Sequence, residues 1–274
     1  MADRTPYARR ARMLSILELT WAGGLLIGAP VAGLLIDRLG WQSPFWVMFV
    51  LLGVATFAAP TLLESDGSHR RAASPRFRPT RQTMALLATA FCFSFAAENT
   101  FVVFGAWLED EFMLSLAALG LASTVIAVAE LIGEGSVLAF ADRVGPRRMV
   151  AAALVVSAMG YATLGPVSDN IVWGLGVLAV SFIAFEISIV ATVPLATEAS
   201  PNARTRFLAW LMVAWGVSRA AGDVAGPLLY EWKGLVANTT VSALAVLVSL
   251  GLLLVLVEEP SQEMGTRDDL NSEL

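Results

Sequence analysis

Eight long apolar stretches restrict what this 274-residue chain can fold into. Each is about as long as the roughly 20 apolar residues that a helix needs to cross a bilayer core. Their apolar residues run continuously instead of alternating, which favours helices that satisfy their own backbone over barrel strands. An all-α membrane protein with eight transmembrane helices is therefore predicted, at residues 14–37, 44–64, 83–108, 115–141, 149–166, 171–195, 207–230 and 236–257.

The composition agrees with lipid as the main solvent. Charged residues make up 15% of the chain and hydrophobic residues 57%, whereas a soluble domain carries about 25% charged residues. The lipid bilayer is thus an expected partner, and binding to nucleic acid is not expected. Cys92 and His69 are the only cysteine and histidine, so disulfides and thiolate or multi-histidine metal centres are excluded. Neither a metal nor a cofactor is expected.

The arginines predict the orientation of the helices. With the N-terminus placed in the cytoplasm, 15 of the 18 basic residues fall on inner segments. The outer segments hold Arg38 and Lys233, together with acids such as Glu109. Because positive loops stay inside, we expect a multi-pass protein of the cell membrane with both termini cytoplasmic.

A polar segment divides the chain unevenly. Residues 65–82 are rich in Arg, Pro and Ser and predict a cytoplasmic linker, whose basic residues could also touch anionic lipid. Residues 1–64 before it hold two predicted helices, and residues 83–257 after it hold six. An acidic tail, also predicted to be cytoplasmic, occupies residues 258–274.

A short motif occurs twice, at an offset of 195 residues. An acid, a proline and an arginine recur three residues apart in each copy, and both copies precede a glycine-bearing helix. Because both copies have the same orientation, the repeat is parallel, and its unit is six helices. Such a repeat predicts two six-helix halves related by an axis along the membrane normal. The motif residues are Asp3, Pro6 and Arg9 in the first copy and Glu198, Pro201 and Arg204 in the second.

With this repeat, two further motifs resemble the major facilitator superfamily. One is similar to the family's antiporter motif in helix five, although Ala29 interrupts its usual Gly-Pro pair; its residues are Gly24, Gly28, Pro30 and Gly33. The other resembles the basic loop between helices eight and nine, although Pro146 replaces an arginine; its residues are Asp142, Arg143, Gly145 and Arg147. The basic central linker is also typical of this family.

The resemblance implies that the eight spans correspond to the family's helices five to twelve. Helices one to four are then expected to be absent, and a separate chain carrying them is a possible partner. Residues 44–63, 149–166 and 236–257, which make up three of the spans, contain no charged residue. These match the family's lipid-facing helices, as expected if the mapping holds.

Ionisable residues inside the spans are functional hypotheses, because burying them in a bilayer costs several kcal/mol. Glu130 and Glu134 lie one helical turn apart. Two such carboxylates cannot easily both ionise away from water, which suits proton coupling; alternatively, Glu134 pairs with Arg143. Arg219 and Asp223 have the same spacing. They could neutralise each other, or Arg219 could counter Glu130 or a substrate anion.

Glu98 and Asn99 lie among phenylalanines on a span that the resemblance places at the transport cavity. Glu186 is the matching acid on the family's helix ten. An acid among aromatic rings suits a cationic or amphipathic small molecule. The same phenylalanines could instead pack against helices or lipid; near Glu98 they are Phe91, Phe93, Phe95, Phe101 and Phe104, and near Glu186 they are Phe182 and Phe185.

The glycine stripe and the basic loop predict gating. Small residues allow helices to approach closely, and the resemblance implies that this stripe seals the interface between domains in one state. Ordinary tight packing is the alternative. The loop between Asp142 and Arg148 is expected to latch helix ends together, although it could act only as a positive-inside loop.

The function predicted from these features is transport of a small organic solute, by proton-coupled efflux through alternating access. The substrate and protons are the expected small-molecule partners. The alternative is a non-transporting fragment or a membrane partner of such a transporter. No motif of an intramembrane enzyme is found, so the chain is not expected to be an enzyme.

Overall fold

The computed structural model describes residues 24, 26–62, 79–201 and 203–257, and all regular structure within these ranges is helical. The prediction of an all-α membrane protein is confirmed. The first repeat motif, most of the predicted linker and the acidic tail lie outside the described residues. The helices are α1 (residues 26–39, with Gly24 also helical), α2 (Ser43–Leu62), α3 (Arg81–Phe101), α4 (Phe104–Phe112), α5 (Leu116–Val144), α6 (Pro146–Leu164), α7 (Ile171–Ala199), α8 (Arg204–Lys233) and α9 (Leu235–Leu256).

Five helical segments of the described chain are long and apolar enough to cross a membrane, by length and composition alone. One of them joins α3 and α4, and the other four lie in α5, α6, α7 and α9. In α2 the apolar stretch Ser43–Ala59 is shorter. Helix α8 is 30 residues long but carries charged residues along its length, which lowers its mean hydropathy.

Local sequence fixes where these helices begin and turn. Thr80 caps α3 in a reciprocal capping box with Thr83, so α3 begins before the predicted end of the linker at residue 82. Asn170 caps α7 by accepting hydrogen bonds from the backbone N–H groups of Val172 and Trp173. Gly145 joins α5 to α6 with a φ of +86°, a conformation that L side chains rarely adopt.

The helices from α3 onward share one hydrophobic core. Helix α3 packs against α8 and α9, while α6 packs against α7 and α9. Helix α5 contacts mainly α7, which in turn touches α3 and α8. Therefore α3 and α8 form one wall and α5 forms another, with α7 joining the two.

The outward faces of these helices are apolar and exposed. Helix α2 is the clearest case, with Phe45, Trp46, Phe49 and Phe57 each more than 60% exposed. In α9, Leu244, Val248 and Val255 are also exposed. Because there is no water in a bilayer core, such faces are the expected surface of a membrane protein.

Candidate functional site

The site begins where α3 and α8 cross at two glycines of α8. A Cβ atom added to Gly222 would lie 2.8 Å from the Cβ of Glu98 and 2.9 Å from the backbone nitrogen of Asn99. One turn further along, a Cβ on Gly226 would lie 2.9 Å from the carbonyl oxygen of Asn99. The small residues therefore let the two backbones meet, and this close approach brings the charged residues of α8 to Glu98.

Arg219 forms an ion pair with Glu98. Its Nε lies 3.5 Å from Oε2 of the glutamate, and the side chains are 37% and 18% exposed. Arg219 was expected to face Asp223, Glu130 or a substrate, whereas the structure brings it to Glu98. It also lies within electrostatic range of Glu130. Asp223 is exposed and lies within electrostatic range of Glu98.

A cavity of about 400 Å³ opens beside this ion pair. Its polar side chains come from three helices: α3, α5 and α8. The remaining surface is apolar, from aromatic rings, an alanine and the helical glycine before α1. The lining residues are Gly24, Ala97, Glu98, Phe101, Glu130, Phe182, Phe185 and Arg219.

Phenylalanines from α3 and α7 form the aromatic wall of the cavity. The rings of Phe101 and Phe182 meet edge to face with their centroids 5.7 Å apart. Phe182 and Phe185 follow at 6.0 Å, and Phe185 meets the buried Phe93 at 6.1 Å. Such edge-to-face contacts stabilise the packing of the rings. Of the phenylalanines predicted near Glu98, only Phe101 lines the cavity.

Glu130 projects from α5 into the same cavity. Its side chain is 8% exposed, and Oε2 has no hydrogen-bond partner among the described residues. Glu186 on α7, 7% exposed, covers Gly133: a Cβ on that glycine would lie 2.6 Å from the Cβ of Glu186. Glu134 lies one turn beyond Glu130 and is partly buried. The structure therefore brings the three predicted acids to the junction of α5 and α7, but only Glu130 lines the cavity.

Asn99 differs from its expected position in the cavity. It is fully buried and turns towards α9, where its Nδ2 donates to the carbonyl oxygen of Asn238 at 3.0 Å and to Ser242 Oγ at 2.9 Å. In return, Asn238 donates to the carbonyl oxygen of Asn99 at 3.0 Å and to that of Gly226 at 2.8 Å. The helix period explains this, because adjacent residues point about 100° apart, and Glu98 already faces α8.

The predicted glycine stripe divides into three different environments. A Cβ on Gly33 would lie 2.7 Å from the carbonyl oxygen of Leu116, and one on Gly120 of α5 would lie 2.8 Å from the carbonyl oxygen of Ala29. Gly33 and Gly120 thus form a reciprocal close crossing of α1 and α5. Gly24 lines the cavity, whereas a Cβ on Gly28 would meet no described atom within 4 Å. Pro30 lies within α1, next to this crossing.

The basic loop contacts the end of α9. Arg147 donates from Nε to the carbonyl oxygen of Val257 at 2.8 Å and from Nη2 to that of Leu254 at 3.1 Å. Arg143 is exposed at the last turn of α5, and the side chain of Asp142 lies outside the description. These hydrogen bonds join the loop to the end of α9, where a cation is stabilised by the helix C-terminus.

The second repeat motif lies at the junction of α7 and α8. Glu198 is exposed near the end of α7, Pro201 forms the turn, and Arg204 is the first residue of α8.

Three residues of the site were missed from the sequence: Gly120, Gly133 and Asn238. Nothing in the residues beside the two glycines indicates that another helix approaches them closely. Asn238 could have been selected from the sequence, because a polar amide in a long apolar stretch must find a hydrogen-bond partner.

These features define a multi-pass, all-α membrane protein with a polar cavity between its helices. The family model for the Major Facilitator Superfamily matches the chain at residues 1–86 and 86–269, and the chain belongs to this family. The expected family is thereby confirmed. It is a family of membrane transporters, in agreement with the expectation that the chain is not an enzyme.

Solved structures show the same fold. A bacterial homologue of the iron transporter ferroportin, in an inward-facing state, superposes with a TM-score of 0.66 at 17% identity; the match covers 91% of this chain and 64% of that one. A bacterial metal transporter gives 0.64 at 17% identity, with coverages of 92% and 67%. This chain thus spans about two thirds of either structure. No curated protein sequence matches it.

Proposed function

We propose that this protein transports a small organic cation with an apolar body across the cell membrane, by alternating access and in exchange for protons. The observation that carries the proposal is the cavity itself, where the carboxylates of Glu98 and Glu130 face an aromatic wall. We further propose that both termini are cytoplasmic and that transport runs outward.

The cavity supports an organic cation in size and in chemistry. Its volume of about 400 Å³ falls within the range of about 300–1,000 Å³ typical of small-molecule sites. Glu98 supplies a negative charge, and Phe101, Phe182 and Phe185 present rings that attract cations. Because these rings also bury apolar surface, they favour a molecule with an apolar body over a simple inorganic ion.

Glu130 supports proton coupling. Its carboxyl group is removed from solvent and has an oxygen without a hydrogen-bond partner among the described residues. Ionising such a group costs several kcal/mol unless a counter-charge is near, and Arg219 lies within electrostatic range. Glu130 can therefore exchange a proton as its surroundings change, which is what coupling requires.

The names of the two similar structures mention iron and metal transport, but at 17% identity they carry only the fold. The described residues contain no group of three or more His, Cys, Asp or Glu side chains that could hold a metal ion. Metal cargo is therefore the less supported proposal. A second alternative is that the chain acts only as a membrane partner of another chain.

Transport by the full chain in proteoliposomes tests these proposals. With an acidic lumen, we expect uptake of ethidium that collapses with the proton gradient. Glu98→Gln and Glu130→Gln should each reduce it at least tenfold, whereas Glu231→Gln, at an exposed position of α8, should not. Uptake of Mn²⁺ but not of ethidium would favour metal cargo. Stable insertion without any transport would favour the partner role.

A further inference from the structure

We propose that Arg219 is a counter-ion shared by Glu98 and Glu130, and that a substrate cation releases the proton of Glu130 by displacing Arg219 from Glu98. The inference rests on the proposed function and specifies its coupling. The substrate would bind to one carboxylate while the proton occupies the other. Arg219 alone would connect the two events.

Arg219 lies within range of two cavity acids that belong to different helices. Glu98 belongs to α3 and Glu130 to α5, which form different walls of the cavity and meet through α7. Arg219 holds Glu98 at 3.5 Å and lies within electrostatic range of Glu130. Its side chain is 37% exposed and lines the cavity, so the guanidinium group has room to move towards α5.

Charge balance dictates the exchange. Without substrate, the negative Glu98 and the positive Arg219 cancel each other, and the buried Glu130 is neutral when it holds a proton. A monovalent cation at Glu98 frees the positive charge of Arg219. That charge stabilises ionised Glu130, whose proton leaves to water on the open side. The charges of the three side chains and the bound cation sum to zero in both states, so the exchange adds no net charge to the cavity.

Several other titratable groups lie near these three residues. On α5 Glu134 follows Glu130 by one turn, on α7 Glu186 covers Gly133, and on α8 Asp223 lies within range of Glu98. Tyr161 of α6 lies within range of Glu98 as well. None of these four groups is a cation, whereas Arg219 is, among the described cations, the one that lies within electrostatic range of both cavity acids. The proton exchange therefore depends on its position.

This arrangement defines the substrate class more narrowly. A monovalent cation exchanges for one proton without net charge movement. A neutral molecule of the same shape leaves Arg219 on Glu98 and releases no proton. The reciprocal also holds by linkage: protonating Glu130 returns Arg219 to Glu98 and expels the cation.

Infrared difference spectroscopy on the purified full chain tests the proposal. The probe is benzyltrimethylammonium, which has a permanent charge and no proton to release. On binding, wild-type protein should lose the carbonyl stretch of one protonated carboxyl group. Glu130→Gln should lack this signal and still bind the probe, with an affinity up to about tenfold lower because the displaced Arg219 has no acid to meet.

Variants of the arginine complete the test. Arg219→Gln should bind the probe while the Glu130 band persists, and Arg219→Lys should restore loss of the band. Arg206→Gln, an exposed position on the same helix, should behave like wild type. The thermal unfolding temperature of each variant shows whether it is folded. Comparison with Glu130→Gln identifies the band of Glu130 and distinguishes it from the band of a protonated Glu98.

Three outcomes overturn the proposal. If wild type binds and transports cations but the Glu130 band is lost equally in folded Arg219→Gln, then Arg219 is no intermediary and only this inference fails. If Glu130→Gln abolishes binding, the cation competes directly with the proton, and again only this inference fails. If wild type neither binds nor transports any organic cation, the inference fails together with the proposed function.

Discussion

Gly222 lies directly against Glu98: a Cβ atom on the glycine would be 2.8 Å from the Cβ of the glutamate. The ion pair of Glu98 therefore depends on a residue that has no side chain. Arg219 precedes Gly222 by three positions and so lies on the same face of α8. One turn of α8 therefore supplies both the close backbone contact, at Gly222, and the charge that neutralises Glu98, at Arg219.

Gly222→Ala should consequently damage both packing and the ion pair. The added methyl group would meet the backbone of α3 near Asn99 as well as Glu98, so the helices must separate. We expect a loss of about 1–3 kcal/mol in the free energy of unfolding, typical of overpacking, together with reduced cation transport. Thermal unfolding in detergent and uptake into proteoliposomes measure the two effects.

The matched control is Gly216→Ala, because a Cβ at Gly216 meets no described atom within 4 Å. It lies on the same helix and should be neutral or slightly stabilising, since alanine favours helices. Equal effects of the two substitutions would mean that α8 is sensitive to any added methyl group. The proposed role of the close crossing would then be wrong.

A second prediction concerns the predicted gating stripe of α1. Gly33→Ala should push α1 away from α5, because its Cβ would meet the carbonyl oxygen of Leu116 at 2.7 Å. Gly28→Ala adds the same group to the same helix in open space and should be tolerated. We expect Gly33→Ala to lower the transport rate at least fivefold more than Gly28→Ala, at similar amounts of inserted protein.

Cross-linking would show the cause of that difference. In a cysteine-free background made by Cys92→Ser, cysteines placed at Ala29 and Ala117 flank the crossing. Gly33→Ala should slow their cross-linking by a short reagent, while Gly28→Ala should not. Unchanged cross-linking with reduced transport would point to a role of Gly33 other than close packing.

The sequence was sufficient to predict an all-helical membrane protein and to select Glu98 and Glu130, which line the cavity, because both signals are local. Apolar runs of sufficient length require helices in lipid, and a charge within such a run is costly wherever it lies. The partner of each charge was not predictable. At i, i+4 spacing, Arg219 and Asp223 are neighbours on any helix, yet Arg219 pairs with Glu98, 121 positions away in the chain.

The partner of each charged or polar side chain depends on which helix faces meet in the folded protein. Asn99 illustrates this, because its position beside Glu98 in sequence suggested one cavity for both. Rotation along the helix instead turns it towards Asn238. Likewise, Gly120 has no feature in sequence that distinguishes it from other glycines, and only the fold brings it to Ala29 and Pro30.

Asn238 gives a third prediction, based on its insertion into the backbone of α3. Its Nδ2 binds the carbonyl oxygen of Asn99, to which the N–H group of residue 103 would bind in a regular helix. The backbone ladder is described up to Val102, which donates to Glu98, and again from Trp107, which donates to Val103. An inserted side chain explains a helix break of this kind, here between α3 and α4.

Asn238→Leu keeps the approximate volume and removes the amide. We expect it to lower the free energy of unfolding by about 2–4 kcal/mol, because buried carbonyl groups of Asn99 and Gly226 lose a donor. Thr240→Val on the same helix loses only an exposed local bond to Val236 and should change it by less than about 0.5 kcal/mol. Comparable effects of the two variants would contradict the role of Asn238.

The fourth prediction concerns Arg147 and the end of α9. Arg147→Gln removes a positive charge and the two hydrogen bonds that the guanidinium group donates to the carbonyl oxygens of Val257 and Leu254. We expect a loss of about 1–2 kcal/mol in the free energy of unfolding, since carbonyl groups at a helix C-terminus are left without these donors and without a nearby cation. Hydrogen exchange should become faster in the last turn of α9 before it changes elsewhere.

Arg143→Gln is the matched control, because it removes the same charge from the same loop at an exposed position. If the loop acted only through its positive charge on membrane topology, both variants would alter insertion equally and neither would affect α9 selectively. A latch requires the opposite pattern, with exchange in α9 accelerated by Arg147→Gln alone. Arg147 contacts α9 through its guanidinium group and Arg143 is exposed, so the effects of charge and of contact can be separated with two residues of one loop.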